Sequence, residues 1–260
     1  LACLLCGVAC GMIGTYVVCR RLVFLSGGIT HASFGGIGMA YYFGANPLLG
    51  ALLFAVLSAL GIETFTARKQ IREDSAIGLL WSLGMAIGII FIYLTPGYAP
   101  NLMSFLFGNI LSVTGTDIFW MGVVDLAILL IFGTMYHPIL FVAFDREYAR
   151  SQNFPTRTIS YLMATLVAVT IVISIRVVGI VLLISLLTIP AVIGNLISKS
   201  FGRILLYGSV IAALSAFAGL YISYQTNIPS GASTIFVLTV TLIAVKTITF
   251  VRLKRRMKTR

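Results

Sequence analysis

His31 is the residue in this chain best suited to hold a metal ion. It is one of two histidines, it sits in an apolar run, and Gly28, Gly35 and Gly38 share its helical face at spacings of three and four. A neutral imidazole is a common ligand for zinc and other transition metals. Glycines around it leave room for an ion or bring another backbone close. A histidine hydrogen-bonded between packed helices accounts for the same pattern equally well from residue type alone.

Two carboxylates come next. His31 lies ten residues beyond Arg21, roughly 15 Å at helical rise, and Asp125 lies about 12 Å inside its own apolar run. The two depths are compatible, so Asp125 is the first candidate for an oxygen ligand. Glu63 stands five residues before Arg68 and is better explained as a partner for that basic cluster than as a ligand. His137, next to Pro138, reads as interfacial. Asp145 and Glu147, among Arg146 and Arg150, read as a solvated charge network. Catalytic machinery is missing from the pattern: there is no G-x-x-x-x-G-K-[ST], no H-E-x-x-H and no G-x-S-x-G. If the chain does active work, its energy comes from elsewhere.

The elements that carry these residues are membrane helices. The chain has 260 residues, 59% of them hydrophobic and 10% charged, well outside the range of soluble domains. Crossing a bilayer takes roughly 20 apolar residues in a helix, and alternation of the kind a transmembrane barrel needs is absent. Nine spans can be drawn, at roughly 1–19, 22–44, 47–66, 75–95, 118–137, 158–175, 177–197, 204–224 and 231–250. The segment 101–113 is too short to cross and is expected to be re-entrant or interfacial. The net charge of +11 falls at segment ends that alternate to one side, with Arg176 the exception. It is therefore a positive-inside signal rather than a nucleic-acid footprint. This places the N-terminus outside and the C-terminus in the cytoplasm, with the basic segment 252–260 as a tail against anionic lipid and residues 1–251 as one membrane domain.

Cys3, Cys6, Cys10 and Cys19 all lie in the first span and behave as small hydrophobes there. That span is read as a membrane helix and not a cleaved signal, since no basic segment precedes it. Gly7 with Gly11 and Gly84 with Gly88 are spaced for close helix approach. The stretch from Val177 to Arg203 is expected to run to the cytoplasmic surface, break at Pro190 and finish as a short amphipathic turn.

In order along the chain, RRLVFLSGGITHASFGGIGMA, IREDSAIGLLWS, LMSFLFGNIL, FDREYAR and RVVGIVLLISLLTIPAVIGNLISKSFGRILL resemble the permease subunit of bacterial metal-ion ABC importers, the zinc and manganese/iron uptake systems. Each motif is weak alone; five in register are specific. The resemblance implies an all-α polytopic protein of about eight or nine transmembrane helices per protomer, with the type II, cobalamin-importer-like permease fold. It further implies a homodimer in the bacterial plasma membrane, driven by a separate cytoplasmic ATP-binding subunit and supplied by an extracytoplasmic metal-binding delivery protein. It implies no nucleic acid, no cofactor bound by this chain and no enzymatic activity of its own. The cytoplasmic coupling helix of that family matches Pro190, Ala191, Val192, Ile193, Gly194, Asn195, Leu196, Ile197, Ser198, Lys199 and Ser200. Many relatives carry an aspartate four residues before the histidine of the second motif, where this chain has Gly27. The metal would then be held by His31 with Asp125, or by His31 and neutral oxygens. Zinc is slightly favoured over manganese or iron. A proton-coupled secondary transporter using Asp125 and His31 is the alternative, although it would call for inverted repeats, which are not evident.

Overall fold

The computed structural model describes residues 1–67, 71–96, 108 and 113–258. Among them the chain forms ten α-helices and no strand. These are α1 (Ala2–Cys19), α2 (Val23–Tyr42), α3 (Pro47–Ala67), α4 (Glu73–Leu94), α5 (Gly115–Thr134), α6 (Tyr136–Phe144), α7 (Arg146–Ser151), α8 (Thr156–Ile197), α9 (Phe201–Thr226) and α10 (Ser230–Lys258). Seven are long and apolar enough to cross a membrane. α2, at 20 residues, is also long enough. It is less apolar, being rich in glycine and hydroxyl side chains, and it is enclosed by α3, α4 and α8. The expected short segment at 101–113 lies largely outside the described residues.

Lipid offers helices no hydrophobic reason to associate, so close packing has to hold them. Glycine supplies it. A Cβ at Gly7 or Gly11 would collide with α9 at Ala213 and Ser209, and one at Gly14 with the Leu187 carbonyl of α8. The spaced pair Gly84 and Gly88 meets α2 at Ala32 and Phe34 in the same way.

α8 differs most from expectation. Its 42 residues would reach about 63 Å as one rod, twice a bilayer core of ~30 Å. It does not break at Pro190, which is buried within continuing helix. The backbone departs from helical geometry at Gly179, with φ 75° and ψ 166°, a combination essentially closed to other residues. The neighbours show what this does. Tyr161 bonds Thr64 near the end of α3 (2.8 Å); Val172 to Arg176 lie beside Tyr41 and Pro47 at the opposite end. After Gly179, Leu187 packs on Gly14 and Ile184 lies beside Gly27, back toward the first end. The chain thus folds back at Gly179, which supplies the two passes expected at 158–175 and 177–197 without a loop. Gly108, itself at φ 64°, fits against the Val178–Gly179 backbone.

Replacing Gly179 with alanine is expected to cost about 1–3 kcal/mol, seen as a lowered thermal midpoint of the purified permease. An unchanged midpoint would show that the turn tolerates a side chain.

The end at which α1 finishes, α2 and α4 begin and α8 meets α9 gathers Arg20, Arg21, Arg72, Arg146, Arg150, Arg157, Lys199 and Arg203. Arg176, the exception in the charge pattern, lies at the other end and pairs with Asp117 Oδ1 at 2.8 Å. α10 runs through position 252 to Lys258 as one helix, so the basic tail begins as a continuation of the last span.

Candidate metal pathway

The glycines of α2 place His31. On the face toward α4, Gly28 meets Ile77, Gly35 meets Gly84 and Gly38 meets Gly88, while Gly36 meets Gly50 of α3. The two helices run parallel and almost touch. Between the glycine contacts stand His31 on α2 and Trp81 on α4, stacked with ring centroids 4.4 Å apart and planes 6° from parallel. His31 is half-buried. The one lone pair a neutral imidazole offers lies in the ring plane, so the stack covers a π face and not the ring edge.

Among the described residues no group of three or more histidine, cysteine, aspartate or glutamate side chains could hold a metal ion. The serine and threonine hydroxyls of α2 are buried and bonded to their own helix: Ser26 donates to the Val23 carbonyl, Thr30 to that of Ser26 and Ser33 to that of Thr30, at 2.6–2.7 Å.

Asp125 is not brought to His31 within the protomer. Its helix, α5, packs on α1 and α8, whereas His31 faces α4. Asp125 is 5% exposed. Neither of its oxygens accepts a hydrogen bond, and it borders a cavity of about 10 Å³ beside Ala9, Thr170 and Ser174, room for about one water. Similar depth in a sequence says nothing about lateral position, and lateral position separates these two residues.

Glu63 is a tether. Its Oε1 accepts from Arg146 Nη2 at 2.7 Å, with the glutamate side chain 6% exposed and the arginine 25%. The expected partner was the basic cluster after α3; the actual one comes from α7, 83 residues on in the chain. This also corrects the reading of Arg146 as solvated. Asp145 caps α7 by accepting from the backbone of Glu147 and Tyr148, so a six-residue helix stands at the basic end, anchored to α3 by one buried ion pair.

The matched coupling stretch divides by exposure. Pro190, Ala191, Ile193, Gly194 and Ser198 are buried, and Gly194 packs on Ile204 of α9. Asn195, Ile197, Lys199 and Ser200 are exposed at the basic end, and Val192 and Leu196 are partly so. Cys6 and Cys10 are buried with their sulfurs 3.7 Å apart, in keeping with a packing role. Sequence reasoning missed Trp81 and Arg146, since neither contact has a local signature.

Comparison with known proteins places the fold. The profile of the ABC 3 transport family matches residues 1–249. A probable metal transport system membrane protein of Chlamydia pneumoniae is 38% identical over 89% of this chain and 81% of that protein. A manganese transport system membrane protein of Halalkalibacterium halodurans is 34% identical over 91% and 81%. Among solved structures, PsaBC from Streptococcus pneumoniae in complex with Fab superposes with a TM-score of 0.83 at 28% identity, over 94% of this chain and 88% of that one.

Proposed function

Since the chain belongs to the ABC 3 transport family, we propose that it forms the translocation pathway of an ATP-driven divalent metal importer, with zinc as the first candidate cargo and manganese or iron as the others. It is a membrane transport subunit of a metal ABC transporter and not an enzyme. Hydrolysis belongs to a separate cytoplasmic ATP-binding subunit, in keeping with the missing phosphate-binding loop. A second copy of the chain completes the pathway, and an extracytoplasmic metal-binding protein delivers the ion. The positive-inside rule sets the basic end, and with it the C-terminus, in the cytoplasm of a bacterial plasma membrane.

The observation that carries the choice of cargo is an imidazole stacked on an indole, with no group of three or more histidine, cysteine, aspartate or glutamate side chains among the described residues. Zinc accepts imidazole readily at low coordination number, whereas manganese prefers oxygen donors. The test is uptake, metal by metal, by the reconstituted permease with its ATPase and delivery protein. Zinc uptake dependent on ATP supports the reading; uptake by this chain without any ATPase would overturn it in favour of a secondary transporter.

The ATPase docks on the exposed basic end, against α7 and the exposed part of the α8–α9 turn. Ile197, 51% exposed at that end, is an apolar contact in waiting. Ile197→Glu is expected to weaken ATPase association by about tenfold or more, in the range of interface hot spots, with folding unaffected. Normal association, measured by co-purification and ATPase stimulation, would remove this turn from the docking surface. Charge at Ile193, fully buried, would instead report on folding.

A further inference from the structure

We propose that Trp81 is a specificity-determining residue of the metal pathway. Its indole covers one face of the His31 imidazole and crowds the space beside it, so that the site passes a four-coordinate, nitrogen-preferring dication and disfavours manganese. The proposal rests on the reading of His31 as a pathway ligand.

The geometry is a seam. On α4, Ile77, Trp81, Gly84 and Gly88 recur at helical spacing, and on α2 Gly28, His31, Gly35 and Gly38 do the same. Glycine contacts bracket the ring pair above and below, so the two rings hold register and neither can slide off the other. The stacking, at 4.4 Å and 6°, leaves the nitrogens of His31 available in the ring plane. It does restrict what else can gather around an ion bound there. A Cβ at Gly27, one turn before His31, would lie 3.7 Å from Trp81 Cζ3 and 3.8 Å from Ile184 Cδ1. The indole edge and Ile184 thus already line the side from which a neighbouring donor would reach the ion.

Zinc is content with four ligands and takes nitrogen well. Manganese favours six-coordinate, oxygen-rich surroundings, and a flat apolar ring over the imidazole denies it both the oxygen donors and the room for a full hydration shell. Residues that hydrogen-bond a metal-binding histidine without touching the ion typically change affinity by 10–100-fold, and a ring stacked on that histidine is expected to act at the lower end of that range.

The decisive measurement is the ratio of KM values for zinc and manganese uptake by the permease reconstituted with its ATPase and delivery protein. The unaltered protein is expected to prefer zinc. Trp81→Leu is expected to reduce that preference about tenfold, and Trp81→Phe, which keeps an aromatic face, to retain most of it. An unchanged ratio in Trp81→Leu, or no preference at the start, overturns the proposal. His31→Ala, run in parallel, isolates the underlying reading: if it leaves uptake intact, His31 is no ligand whatever Trp81 does.

A second readout needs no transport. The chain has two tryptophans, so the full-length Trp120→Phe protein in lipid nanodiscs reports Trp81 alone. Cobalt is expected to quench that emission, and the quenching to vanish when His31→Ala is added. Absence of quenching, or quenching that survives the loss of His31, overturns the proposal even if Trp81→Leu fails to assemble.

Discussion

Zinc uptake by the reconstituted complex is expected to fall by at least about 100-fold when His31 is replaced by alanine, with association to the ATPase unchanged. Loss of a residue that merely supports a metal ligand costs 10–100-fold; loss of the imidazole itself, with no group of three or more such ligands among the described residues to replace it, should cost more. Assembly should survive because His31 sits mid-helix, away from the basic end, and because glycine contacts on both sides of it hold α2 against α4. Radiolabelled uptake and co-purification check the two halves separately. Unchanged uptake with normal assembly would reduce the residue to a packing element stacked on Trp81.

The second large effect concerns Glu63. Glu63→Ala leaves Arg146 three-quarters buried without its counter-charge, and Arg146 Nε already has no partner. Breaking a buried ion pair from one side costs about 3–5 kcal/mol, so a marked drop in the thermal midpoint of the purified permease is expected. Because the pair joins α3 in the membrane to α7 at the basic end, ATP hydrolysis should also lose its stimulation by transport substrate. The double variant Glu63→Leu with Arg146→Met removes both charges and is expected to recover most of the stability, since apolar replacements of buried pairs are often neutral. It should not recover the coupling. A single variant as stable as the parent would show that Arg146 finds water or another acceptor, and the tether would fall with it.

Much of this architecture is legible along the chain, and the particular residues show why. Span number and alternation follow from apolar runs and basic ends, because burying an unpaired backbone or a charge in lipid is prohibitive at every position. Gly7, Gly11, Gly84 and Gly88 announce helix contacts because their spacing is a property of one helix. The turn at Gly179 has no such one-helix signature. Pro190 looks like the natural breaker, yet a proline within a membrane helix can be accommodated by its neighbours, whereas φ 75° at Gly179 is a backbone state that no pattern of hydropathy encodes. Glu63 with Arg146 and His31 with Trp81 were invisible for a simpler reason. Each joins residues from separate helices, and only the packing of those helices brings them together.

Composition and spacing are enough to make this chain a polytopic membrane transport subunit and to gather most of its basic residues at one end, Arg176 excepted. Those properties depend on composition and on one-dimensional spacing, which the bilayer converts directly into span and side. Which buried polar residues are neighbours follows from the packed helices alone. Their packing gave His31 an indole for a companion instead of Asp125, and Glu63 an arginine from α7 instead of one from the cluster after α3. Depth in a membrane can be counted in residues; lateral position is set by how glycine seams let helices close on one another, and that is settled only when the whole bundle packs.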